Sequence, residues 1–229
     1  MTATTPPDVT AGPGVPSSDV ALERAVMSRI GSLQAAAIAG APSAAARLAR
    51  LRRALTSEPG SDPDVWADTL GMLPTELLGK RDKPNDAERA SHAAMTLFAL
   101  HQQAQSAPMH VPGQTLGKAV QRLRAQTGET ESDTGPTLRR FHVLATASSL
   151  EETLHHLRGM VTVLRGEHLG LDYGRLAIDL RRLQGPSTAP GVRLRWGRDL
   201  YRFSARPAKA GTPTDLAPRP STSTEGDPS

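Results

Sequence analysis

His155 and His156 stand side by side, with Glu151 and Glu152 just before them, and a polar run of His101, Gln102 and Gln103 closes an almost wholly apolar segment. Imidazoles and carboxylates in company are the usual means of proton transfer and metal binding. None of these groups has the spacing that either chemistry requires. Adjacent histidines on a helix are expected to point apart, and the other five histidines show no ligand pattern. Glu151 and Glu152 fall in a first helical turn, where capping and the helix dipole account for them. His101, Gln102 and Gln103 are expected to satisfy backbone groups and hold the following loop, with His110 joining them. No Gly-rich phosphate loop or nucleophile elbow occurs, and without cysteine there is no thiolate metal site. The sequence predicts a protein that is not an enzyme, with no catalytic residues, no cofactor and no metal.

Basic side chains offer a different chemistry. The proline-rich ends, residues 1–18 and 207–229, each carry a net −1, so the +4 of the whole chain becomes +6 on residues 19–206. Such an excess favours polyanionic partners, nucleic acid above all. At 100° per residue Arg47, Arg50 and Arg53 form one row, with Arg52 on the other flank. Lys118 and Arg122 lie one turn apart, Arg139 and Arg140 face outward, and Arg158 and Arg165 share a face at the edge of an apolar stripe. Residues 192–206 hold five arginines, Arg193 and Arg195 among them, against one aspartate. Arg175 and Arg182 sit within a turn of Asp179 and read as structural. Outward arginines on helices are usually solvated or paired with acids one turn away, so each has an ordinary reading beside the functional one. The seven Phe, Trp and Tyr form no cluster on an exposed face. Readers of single-stranded bases need such platforms, so the composition points to backbone contact without base readout.

These residues ride on helices. A stripe of Leu22, Val26, Ile30 and Leu33 follows Ser18 or Asp19 as cap, and Ala44, Leu48, Leu51 and Leu55 follow Ser43. Asp62-Pro63 opens a short helix. Asn85 opens a long one reaching Gln105, apolar round most of its circumference and hence central. Thr115, Pro136 and Ser149 begin three more, the last with Glu152 as a capping box, and Asp172 to Gln184 form another. Val192, Leu194 and Trp196 alternate with Arg193 and Arg195 and predict a short extended segment. The fold class is all-α, a bundle of about eight or nine helices. The ends, 1–18 and 207–229, hold nine of the 19 prolines and are expected to be disordered. No run approaches a membrane span and no signal peptide is visible, so a cytoplasmic protein with no membrane contact is expected.

Taken in order, Leu100-His101-Gln102-Gln103, Met109-His110 and Leu116-Gly117-Lys118-Ala119 resemble the small subunit, the CasB family, of the type I-E CRISPR Cascade surveillance complex. Leu48 to Gly60, Leu138-Arg139-Arg140-Phe141, His156-Leu157-Arg158-Gly159 and Val192 to Asp199 match the same family in the same order. The resemblance spans roughly residues 20–203, and it rests on the order of the segments, since none alone is a strong motif. It implies two packed helical halves, 19–110 and 111–206, in a non-catalytic subunit present in two copies, lying along the crRNA-bound backbone between the large subunit and the head. It further implies that the subunit steadies the crRNA–target DNA heteroduplex and offers a basic path to the displaced strand. By position, the nucleic-acid-binding residues it implies are Arg52, Arg53, Lys118, Arg122, Arg139, Arg140, Arg158, Arg193 and Arg195. The rival reading is a helical protein–protein adaptor with no direct nucleic-acid contact, working through apolar surface near Trp66 and Leu70.

Overall fold

The computed structural model describes residues 17–129 and 134–202. Both proline-rich ends, apart from Ser17 and Ser18, lie outside the described residues, as does the disorder expected of them.

The molecule is built round α4 (Asp86–His101). Asn85 accepts the Glu88 N–H at 2.9 Å while the Glu88 carboxylate accepts the Asn85 N–H at 2.7 Å, a complete capping box. Beyond that first turn the helix is buried on every side, from Ala90 through Ala99, so it must be wrapped. Packed about it are α1 (Ser18–Ile38), α2 (Pro42–Arg53), the short α3 (Trp66–Thr69), α7 (Leu150–Gly166) and α8 (Tyr173–Leu183). The remaining helices, α5 (Leu116–Gln126), α6 (Pro136–Thr146) and α9 (Ala189–Arg202), extend the bundle. α5 packs on α6 and α9, α6 on α7, and α9 on α8. Nine α-helices, three short 3-10 turns and no strand are found among the described residues. One continuous hydrophobic core runs from Ala21 to Leu200. It passes across residue 110, because α8 packs on both α1 and α4.

Several local details differ from the sequence reading. α1 is capped one residue early, by Ser17, which accepts from Val20 N–H. α2 starts on Pro42, where a missing N–H costs nothing, and not on a Ser43 cap. It ends at Arg53, before Pro59-Gly60. At α7 the capping box is half made. Ser149 accepts the Glu152 N–H at 3.1 Å, but the Glu152 carboxylate takes the Ser148 N–H at 2.7 Å and its hydroxyl at 2.9 Å. The extended segment expected at 192–196 is helical. Val192, Trp196 and Leu200 recur every four residues and are all buried, whereas Leu194, which an alternating strand would bury with them, is 54 % exposed.

The polar run after α4 does what its position suggested. Gln102 donates to the carbonyls of Ala107 at 2.9 Å and Gln105 at 3.1 Å, and accepts the Met109 N–H at 3.0 Å. Tyr173, wholly buried, has its hydroxyl 3.2 Å from the Leu97 carbonyl and 2.9 Å from His101 Nδ1, hydrogen-bonded to both. His110 Nδ1 accepts the Tyr173 N–H at 3.2 Å. Phe98 meets the same tyrosine edge-on at 5.5 Å.

Two close approaches fix the outer helices. A Cβ on Gly117 would stand 2.3 Å from the Trp196 carbonyl oxygen, so α5 crosses α9 at backbone contact. A Cβ on Gly174 would meet the Met27 side chain at 2.5 Å, so on α8 this glycine makes room for a side chain of α1. Charges finish the joints. Asp179, buried on α8, accepts from Trp196 Nε1 at 2.6 Å, is bonded by Arg195, and has Arg175 at 3.5 Å. Arg182 pairs with Asp19 at 2.7 Å and not with Asp179. Its neighbour Arg181 joins Asp19 at 3.2 Å to Asp86 at 3.1 Å, tying the first turns of α1 and α4. Arg47, expected in an outward row, donates to buried Asp68 of α3 through Nε at 3.0 Å.

Two predictions follow from this core. Burial holds His101 to a pKa of about 4, down from 6.5, and lowers His92 and His110 in the same way. A folded-state pKa below the unfolded one means stability is complete above about pH 6.5 and is lost as pH falls toward 4. For His101 alone the loss is on the order of 3 kcal/mol, read as a falling Tm between pH 7 and pH 4.5, and His101→Gln flattens that fall. Asp179→Ala leaves Arg195 and Trp196 Nε1 without their acceptor. The variant loses about 3 kcal/mol by chemical denaturation, the scale for breaking a buried pair from one side.

Candidate nucleic-acid interface

α7 turns Leu157, Met160, Val161 and Leu164 inward, and its remaining faces carry basic groups toward two neighbours. Toward the end of α2, Arg158 Nη2 donates to the Leu55 carbonyl at 2.6 Å. Two turns on, Arg165 Nη1 donates to the Leu100 carbonyl at 3.2 Å and to Gln103 Oε1 at 3.0 Å. Arg52 lies close by. Partial burial, then the charges of Arg165 and Arg53, lower its pKa from the ordinary guanidinium value, though it stays charged at any physiological pH. Arg53 beside it is exposed. Four guanidiniums therefore gather round the end of α2, and none of them is in an ion pair with a carboxylate among the described residues.

Toward α6, α7 borders a cleft of about 480 Å³. Pro136 starts α6 and so sets its outward face. Leu138, Phe141 and Leu144 are buried, leaving Arg139 and Arg140 exposed at the cleft. Arg139 donates to the Thr134 carbonyl, closing the turn before its own helix. Arg140 makes no ion pair with a described carboxylate. His155 and His156 line the opposite wall. They do not point apart as expected; their rings meet edge to face with centroids 5.2 Å apart. A second hollow, of about 600 Å³, lies between the turn at 55–59, α4 and α7, and it shares His155 and Arg158 with this flank. The α2 end and the α6 cleft are thus joined along one helix.

The other implied residues are placed less openly. Lys118 Nζ donates to the Gly113 carbonyl at 3.0 Å, and Arg122 is exposed one turn further along α5. Arg193 Nη2 donates to the Ala147 carbonyl at 2.9 Å, closing the end of α6, and Arg195 is held by Asp179. Because residues 192–202 are helical, their arginines divide between faces. Arg193 and Arg195 brace the fold, while Arg198 and Arg202 are exposed beside Leu194 and Tyr201. The set drawn from the resemblance omitted Arg165 and Arg198, whose signals were a shared face with Arg158 and a helical reading of 189–202. Among the described residues no three His, Cys, Asp or Glu come together as a metal site, and no helix is long and apolar enough to cross a membrane.

Comparison with known proteins agrees with this architecture. Residues 47–201 match the family of CRISPR-associated protein Cse2 (CRISPR_cse2). The crystal structure of CasB from Thermobifida fusca is 32 % identical, with a TM-score of 0.62 over 78 % of this chain and 97 % of that one. The crystal structure of CasB from M. ruber shares the fold, with a TM-score of 0.54 and 24 % identity over 70 % of this chain and 86 % of that one. No curated protein matches the chain. With the matched segment covering every helix from α3 to α8, the second half of α2 and nearly all of α9, the chain belongs to the CRISPR-associated Cse2, or CasB, family and is a subunit of Cascade.

Proposed function

We propose that this subunit works without chemistry of its own, by laying a basic flank against the sugar–phosphate backbone of the crRNA–target DNA heteroduplex and of the displaced strand. The observation that carries the reading is the exposed Arg139–Arg140 pair at the α6–α7 cleft, free of described carboxylates and joined along α7 to Arg52 and Arg53. Lys118 and Arg122 on α5 add to the same field. Arg158, Arg193 and Arg195 contribute their charge while their bonds hold α7 and α9 in place. Exchange of a DNA duplex for an RNA–DNA heteroduplex is nearly balanced, so modest contacts suffice to tip it. Contacts of this kind are sequence-independent and salt-sensitive, because each phosphate met releases condensed counterions.

A second role accompanies the first. Trp66 is 46 % exposed, and Leu194 and Tyr201 stand more than half exposed on α9. Apolar groups of this size on a surface favour docking on the Cascade backbone, the large subunit or a second copy of the chain. All of this takes place in the cytoplasm, with no membrane, metal or cofactor. On the adaptor reading alone these faces would account for the whole function and the arginines for none.

Binding of the purified chain to labelled single-stranded DNA over a salt series separates the two. Single-strand binding weakens with a log–log slope of about −0.7 per phosphate contacted. The expected result is a slope worth several phosphates with no sequence preference, reduced by about one to two contacts in the Arg139→Ala/Arg140→Ala variant. Absence of binding at low salt, or an unchanged slope in the variant, leaves the adaptor reading in its place.

A further inference from the structure

Resting on the backbone-contact reading, we propose that His155 and His156 belong to the polyanion seat, so that a phosphodiester backbone entering the α6–α7 cleft is bound together with protons. The cleft has two unlike walls. α6 supplies the permanently charged Arg139 and Arg140, and α7 supplies two imidazoles that carry charge only when protonated. Between the imidazoles and the solvent there is room. A Cβ on Gly159, one turn beyond His155, would meet nothing within 4 Å, so the floor of the cleft is open at that point.

The neighbouring charges decide what those imidazoles do. From α6 they face Arg139 and Arg140. On α7 itself Glu152 Oε1 lies 3.9 Å from His156 Nε2, beyond hydrogen-bond reach. The other oxygen of that carboxylate is engaged by Ser148, so Glu152 is occupied as a helix cap. On the other side of His155 stand Glu58, Arg89 from α4, Glu151 and Arg158, two acids against two bases. α5 meets α7 at its far end, where Gln126 bonds Glu167. Glu152 is therefore the near acid of His156, shared with Ser148, and His155 has no ion pair with a described carboxylate. A phosphate in the cleft favours the charged form of a neighbouring imidazole, and each ring then answers it with an N–H. Histidine is the side chain whose charge changes most readily between about pH 5 and 8.

The test uses the full chain and a 20-nucleotide oligothymidylate probe followed by fluorescence anisotropy at pH 6 and pH 8, with circular dichroism confirming the fold at both. The expected result is an affinity about tenfold higher at pH 6, falling to less than about twofold in His155→Asn/His156→Asn, while the control His142→Asn, on the exposed face of α6, keeps the wild-type dependence. If the probe binds at both pH values and is weakened by Arg139→Ala/Arg140→Ala, yet the pH dependence survives the histidine double variant or is absent from the wild type, the inference is wrong and the basic flank stands. If the probe does not bind at either pH, the basic flank itself fails and the inference falls with it.

Discussion

A helix with no polar side cannot touch water, and α4 is such a helix over most of its length. The other elements are arranged by that demand. α1, α2, α7 and α8 each turn their apolar stripe to the core around it, which leaves their opposite faces to polar groups. The basic flank is a by-product of this wrapping: α7 must face α4, so its other sides are left for charge. The same burial explains the histidines of the core. His92 and His101 ride on α4 where only neutral rings are tolerated, and each is held by a carbonyl or a hydroxyl.

Arginine performs three tasks here with one side chain. Arg195 and Arg47 answer buried carboxylates. Arg158, Arg165 and Arg193 reach across to backbone carbonyls at the ends of neighbouring helices, where carbonyls lack intrahelical partners. Arg140 and Arg53 stand in solvent. A guanidinium bonded through one nitrogen still offers other N–H groups outward, so bracing a helix end and presenting charge are compatible. That overlap lets one side chain carry a structural duty and a surface charge together.

The periodicity of apolar residues made the all-α architecture legible, and the Asn85–Glu88 box showed where its central helix begins. Periodicity was ambiguous at 192–200, where spacings of two and of four both fit until Leu194 is seen to face solvent. Sequence also separates outward from inward on one helix, but not which outward arginine finds a carbonyl on another. Arg158 and Arg193 reach partners 103 and 46 residues away. For the same reason Arg182 was matched to the nearest acid in sequence, while Asp19, 163 positions off, is its neighbour in space. The histidine pair differs from expectation because ideal helical angles place adjacent side chains apart, whereas rotamers let the exposed His155 and half-buried His156 rings turn toward each other.

The chain's two tryptophans occupy opposite environments. Trp196 is sealed at the α8–α9 joint with its indole N–H on Asp179, and Trp66 stands nearly half exposed at the start of the short α3. The consequence is optical. A water-borne quencher such as iodide reaches one indole and spares the other, so the emission of the intact chain divides into two separately addressable signals. The inner one reports on the seam between α8 and α9, and the outer one on whatever comes to rest over α3, without any label being added.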